Sequence, residues 1–167
     1  MYLKSYFSTF IDEIIALIKK MEIMTVASSS KLVGIALATS VCIGEVITAI
    51  GKSLATKGVT NVVVSIVESP SILPYLVKEM AQKCDIVLAV AIMEQDGTAM
   101  VELLGQSLVE IGLVQNCPVV PALMSPSNAL ELKAALPSCT RQWTSSIVSL
   151  LALGLVAPVP MSTLEVY

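Results

Sequence analysis

Residues 86–93 read IVLAVAIM, eight apolar side chains in a row, and are followed by Glu94-Gln95-Asp96-Gly97 and a new period from Thr98. An unbroken apolar run of this length fits a parallel strand buried on both faces. From Thr98 onward, Val101, Leu104, Leu108 and Ile111 recur at helical spacing, while Glu102, Gln106 and Glu110 share another face. The pattern is strand, loop, helix, with the loop at the strand's C-terminal end. Open parallel sheets bind their ligands there, so the loop 94–98 is expected to border any site.

The same alternation runs through the chain. Residues 1–24 form an amphipathic pattern in which Leu3, Phe7, Phe10, Ile11, Ile14 and Ile18 share one stripe. This segment either packs back onto its own domain or docks on a neighbouring subunit or membrane surface; periodicity does not name the receiving surface. After a small, polar linker to residue 30, strands are expected near 32–38, 61–67, 86–92 and 118–124. Helices are expected over 43–56, closed by Lys57-Gly58, and over 72–83, with Pro74 tolerated in the first turn. Pro121 suggests an edge position or a bulge for the last strand. Residues 125–136 read as a loop and short helix with Ser127 as N-cap, and 140–155 as a separate last helix carrying Trp143. Strand and helix alternating four times imply a parallel sheet with helices on both faces. The expected units are an extension and linker over 1–30, one α/β domain over 31–155 and a tail over 156–167.

Composition bears on partners. The chain is 55% apolar and 14% charged, where soluble domains carry about 25% charged residues; its mean hydropathy is +0.83. A monomer so poor in charge leaves apolar surface in water, which usually marks an interface. A membrane is the rival explanation, but no stretch reaches about 18 uninterrupted apolar residues. Residues 33–50 are broken by Glu45, and 147–161 contain Ser149, Gly154, Pro158 and Pro160. Self-association is the reading preferred, with no transmembrane segment. A net charge of −3 with scattered cations argues against nucleic acid. Cys42, Cys84, Cys117 and Cys139 are widely spaced and lie in or beside apolar runs, so buried free thiols are expected rather than a disulfide framework or zinc site. With no secretory signal in view, the expected compartment is intracellular, the cytoplasm ahead of an organelle.

The inventory of reactive groups is short. The chain has no histidine, which removes imidazole acid–base chemistry and imidazole metal ligation. Neither a dinucleotide fingerprint nor a P-loop is present, and no cofactor or metal is expected. Asp96-Gly97-Thr98 at a helix start can bind an anion through backbone N–H groups, or serve as a capping turn, which is the reading preferred.

From about Lys31 to Leu153 the chain resembles the 6,7-dimethyl-8-ribityllumazine synthases of riboflavin synthesis. Residues 67–74, Val-Glu-Ser-Pro-Ser-Ile-Leu-Pro, stand where that family has Val-Pro-Gly-Ala-Phe-Glu-Ile-Pro. Residues 117–124, Cys-Pro-Val-Val-Pro-Ala-Leu-Met, are similar to its Val-Pro-Val-Ile-Phe-Gly-Val-Leu. Residues 140–143, Thr-Arg-Gln-Trp, are similar to its Asn-Lys-Gly-Trp. The resemblance implies a three-layer α/β/α domain with a four-stranded, parallel, flavodoxin-like sheet. It also implies a five-membered ring whose central channel is lined by the helix after the third strand, here by Glu102, Gln106 and Glu110.

The departures fall where that family works. The aromatic platform after the first strand is absent from Ala38-Thr39-Ser40-Val41, and the motif's Phe and Glu are Ser71 and Ile72. The family's Arg-Gly-Glu-Thr-Pro-His aligns with residues 95–100, Gln-Asp-Gly-Thr-Ala-Met: Thr98 remains, Gln95 replaces the arginine and Met100 the acid–base histidine. Arg141 matches a basic position near the family's phosphate site and is either an anion contact or an exposed helix cation. Loss of stacking, carboxylate and histidine removes both positioning and proton transfer. The expectation is a subunit with no catalytic residues that assembles with itself, or with a paralogous subunit, as a homo-oligomeric ring. Its vestigial pocket would hold Thr39, Ser40, Ser69, Ser71, Ile92, Gln95, Asp96, Gly97, Thr98 and Arg141. The alternative is a functional or weakened lumazine synthase, or a flavin- or lumazine-binding protein.

Overall fold

A computed structural model describes residues 12–16, 31–39, 42–93 and 98–153, with the Thr98 side chain excepted. Four strands, β1 (Val33–Ala38), β2 (Val62–Val67), β3 (Ile86–Ile92) and β4 (Val119–Met124), form one all-parallel sheet in the order β2-β1-β3-β4. They alternate with helices α1 (Ile43–Thr56), α2 (Leu73–Ala81, led in by a 3₁₀ turn over Pro70–Ile72), α3 (Thr98–Gln115) and α4 (Ala129–Ala152). This is the expected three-layer, flavodoxin-like α/β arrangement.

Burial follows sheet position. Every residue of β1 and β3, the two inner strands, is buried. The edge strands are not: Val63 and Ile66 of β2 are about two-fifths exposed, at 39% and 40%. Pro121 lies in β4, opposite Ala89, and β4 is an edge, where a missing N–H has at most one partner strand to lose.

The two faces of the sheet differ in side-chain size. Val33, Ile35, Leu37, Ile86, Leu88, Val90 and Ile92 point to one side and join Val46, Ile50 and Leu54 of α1 and Leu132, Leu136, Trp143 and Ile147 of α4 in a single core. The opposite side carries Ala36, Ala38, Val87, Ala89 and Ala91, covered by Leu73, Val77 and Met80 of α2 and Leu104 and Leu108 of α3. Large residues on one parity and small on the other let α2 and α3 ride closer to the sheet. At Gly34 even a methyl group is excluded, since an added Cβ would stand 2.8 Å from both Cys84 Sγ and Met80 Cε.

α1 stops as expected at Lys57-Gly58. Gly58 adopts φ 79°, its N–H donates to the Ala55 carbonyl, and the Val59 N–H donates to the Leu54 carbonyl. This is a Schellman closure, with Leu54 and Val59 buried in the same core.

The last third departs from expectation. Residues 129–152 are one helix, not a short helix followed by another, and Pro137 sits inside it. The cap is Asn128 rather than Ser127. Asn128 Oδ1 accepts from the Glu131 N–H at 2.9 Å, while Glu131 Oε2 accepts from the Ser127 N–H at 2.7 Å. A proline normally ends a helix by withholding a donor and crowding the preceding turn. Here Leu132, Leu136, Thr140, Trp143, Thr144 and Ile147 keep one buried stripe on both sides of it, and packing against the sheet outweighs the local preference.

Of the N-terminal extension, residues 12–16 are helical and Ile14 packs against the α1/α4 core. The rest of residues 1–24, and the tail from residue 154, lie outside the described residues. Among those described, no helix is long and apolar enough to cross a membrane.

Candidate functional site

The parallel register aligns the C-terminal ends of β2, β1 and β3: Ala38 pairs with Val67 on one side and Ala91 on the other. Thr39, one residue beyond Ala38, is therefore level with Glu68 and Ile92. Thr39 and Ile92 are buried, whereas Ser69 and Ser71 are solvent-facing and bond to each other, Oγ to Oγ, at 2.7 Å. Thr98 opens α3 at this end of the sheet. Ser40, Gln95, Asp96 and Gly97 lie outside the described residues. Of the described residues expected in the pocket, Thr39, Ser69, Ser71 and Ile92 supply hydroxyl and aliphatic surface, and the exposed Glu68 beside them is the carboxylate at this edge of the sheet.

Arg141 does not share that surface. It is twelve residues past the start of α4, about 18 Å along the helix axis at 1.5 Å per residue. It lines a groove of about 550 Å³ between α1 and α4, together with Glu45, Ala49, Lys52, Ser53 and Thr56 of α1 and Lys133, Leu136, Pro137 and Thr140 of α4. The two helices run side by side, tied by Lys133–Glu45 at 3.7 Å, Ser53 Oγ to Thr144 Oγ1 at 2.7 Å, and Lys57 Nζ donating to Ser145 Oγ at 3.0 Å. Compared with known proteins, the chain matches no family model and no curated sequence. The groove was not foreseen from the sequence, because ending a helix at Pro137 separates Lys133 from Arg141. The readable signal is the i, i+3, i+4, i+7, i+8 spacing of Lys133, Leu136, Pro137, Thr140 and Arg141.

On the other side of the sheet, Glu102, Gln106 and Glu110 form an exposed row on α3, and Gln106 Nε2 donates to Glu110 Oε1 at 3.2 Å. The row is flanked by apolar side chains that face solvent in the isolated chain: Met100, Leu103, Val109, Leu113 and Val114, the last two about three-quarters exposed at 74% and 76%.

All four cysteines are free. Cys84 and Cys117 are buried side by side at the other end of the sheet, the Cys117 thiol donating to the Cys84 carbonyl at 3.4 Å. Burial, and then the neighbouring Cys84 and Asp85, push the Cys117 thiol up to about 11, and Cys84 is raised for the same first reason. Such thiols are poor nucleophiles. Among the described residues no three Cys, Asp or Glu side chains gather as a metal site.

Proposed function

We propose that this chain is a lumazine-synthase-like subunit that assembles with itself into a closed ring and does not catalyse the lumazine condensation. The observation that carries the reading is α3. Its inner face, Leu104 and Leu108, is buried, yet Leu103, Leu113 and Val114 on its outer face are largely exposed. A helix apolar on nearly all sides is normally buried on all sides, so an isolated subunit leaves this surface uncovered. Contact with neighbouring copies covers it, and a closed symmetric assembly does so without leaving free ends. Glu102, Gln106 and Glu110 then face a hydrated channel, where a ring of like charges is tolerated because water and salt screen it.

The inactive part of the reading rests on the sequence: the chain has no histidine, Ser71 and Ile72 stand where the resembled family has Phe and Glu, and Gln95 stands where it has arginine. Fold alone does not carry activity across such replacements. Light scattering at low micromolar concentration tests assembly: a homopentamer scatters with the mass of five chains. A mass of one chain, unchanged on concentration, rules the ring out. Mixing the protein with the ribitylamino-pyrimidinedione and butanone phosphate substrates tests activity, and lumazine fluorescence that survives repurification would return the chain to the enzymes.

A further inference from the structure

The groove between α1 and α4 combines three features that rarely coincide by packing alone. The first is charge: Lys52, Lys133 and Arg141 against Glu45 leave it at net +2, on a chain whose total is −3. Lys133 is engaged with Glu45, but among the described residues neither Lys52 nor Arg141 has a carboxylate partner. The second is an apolar floor of Ala49, Leu136 and Pro137, in a volume of the size that small-molecule sites occupy. The third is Thr140, only 3% exposed, whose Oγ1 is buried without a hydrogen-bond partner. Leaving a buried hydroxyl unsatisfied is unfavourable, and such groups are rare unless something else completes them. Thr140 lines the groove, and a helical threonine has two accessible χ1 wells, so its side chain has the freedom to complete its hydroxyl on a ligand there.

We propose that this groove binds a small organic oxyanion, a phosphate or carboxylate on a compact apolar body. The oxygens are met by Lys52, Arg141 and the Thr140 hydroxyl, and the body lies on Leu136 and Pro137. The site is separate from the strand-end loops, since the groove contains none of Thr39, Ser69 or Ser71. It is also independent of the ring, because α3 is on the opposite face of the sheet.

Trp143, two residues from Arg141, is buried in the core on the far side of the helix and does not line the groove, so occupancy is read directly. Full-length protein is titrated at low ionic strength with phenyl phosphate, benzoate and inorganic phosphate, and bound ligand is measured by equilibrium dialysis. Saturable binding of phenyl phosphate or benzoate is expected at millimolar concentration or below, with inorganic phosphate several-fold weaker because it lacks the apolar body. Lys52→Gln and Arg141→Gln, both at exposed positions, should each weaken binding about tenfold, the loss of one charge-assisted contact. Thr140→Val is the sharper variant: it should raise the melting temperature of the free protein by removing an unsatisfied buried hydroxyl, and weaken binding in the same sample. No saturable response, binding unchanged in the Lys52→Gln/Arg141→Gln double variant, or Thr140→Val that melts higher with affinity intact would each overturn the proposal.

Discussion

Leu32 and Asp85 are joined twice: the Asp85 N–H donates to the Leu32 carbonyl at 2.8 Å, and the Leu32 N–H donates to Asp85 Oδ2 at 2.7 Å. The pair sits where β1 and β3 enter the sheet, and one carboxylate satisfies a main-chain donor that precedes the β1 ladder. Asp85→Ala leaves the Leu32 N–H without that acceptor and should lower stability by about 1–3 kcal/mol. Urea unfolding measures it; an unchanged midpoint would show that water replaces the carboxylate without loss.

Pro137 interrupts α4 without ending it, and its ring is exposed. Alanine at this position restores the N–H that the Lys133 carbonyl lacks, and relieves the ring's crowding of the preceding turn. Pro137→Ala should therefore stabilise the protein, by a share of the roughly 3 kcal/mol that separates the two residues in a helix interior. A thermal melt that falls instead would mean that the local bend, not the helix ladder, is what the packing of α4 requires.

The raised thiols make a statement about pH. Cys117 moves from an ordinary value of 9.0 to about 11 in the folded chain. Between those values the unfolded chain has lost its proton while the folded one retains it, so stability falls as pH rises from about 9 through about 11. Cys84 adds in the same direction. Unfolding free energies measured across this window should slope downward, and Cys117→Ala should flatten the slope. In native protein at pH 8, half-buried Cys42 and Cys139 should react with a thiol reagent before Cys84 and Cys117; the reverse order counts against the packing around Gly34 and Met80.

Leu103 and Leu113 are exposed in the subunit, at 66% and 74%, so charging them removes no core contact. Leu103→Lys with Leu113→Lys should leave the circular dichroism spectrum and unfolding cooperativity of the subunit intact while lowering the mass in solution to one chain. An assembly that persists in the double variant would place its interface elsewhere than on α3.

Much of the architecture was legible in the chain because periodicity and burial are the same information written twice. An unbroken run such as 86–92 fits the centre of a parallel sheet, and Pro121 marked the last strand as an edge, where β4 lies. Lys57-Gly58 marked a helix end by local chemistry alone, since a left-handed residue there is satisfied within the turn itself. Other features could be settled only by contacts between residues distant in sequence. Whether Pro137 ends a helix depends on the sheet beneath Leu132 and Ile147, because a local cost of a few kcal/mol is outweighed by burying a continuous stripe. The groove likewise has no local signature: Lys52 and Arg141 are 89 positions apart in the numbering, and only the side-by-side packing of α1 and α4 makes them one surface. The size asymmetry of the two sheet faces was present in VGIALA and IVLAVAI all along. Which helices the small face would admit was decided by the order β2-β1-β3-β4, since handed crossovers assign each helix its side.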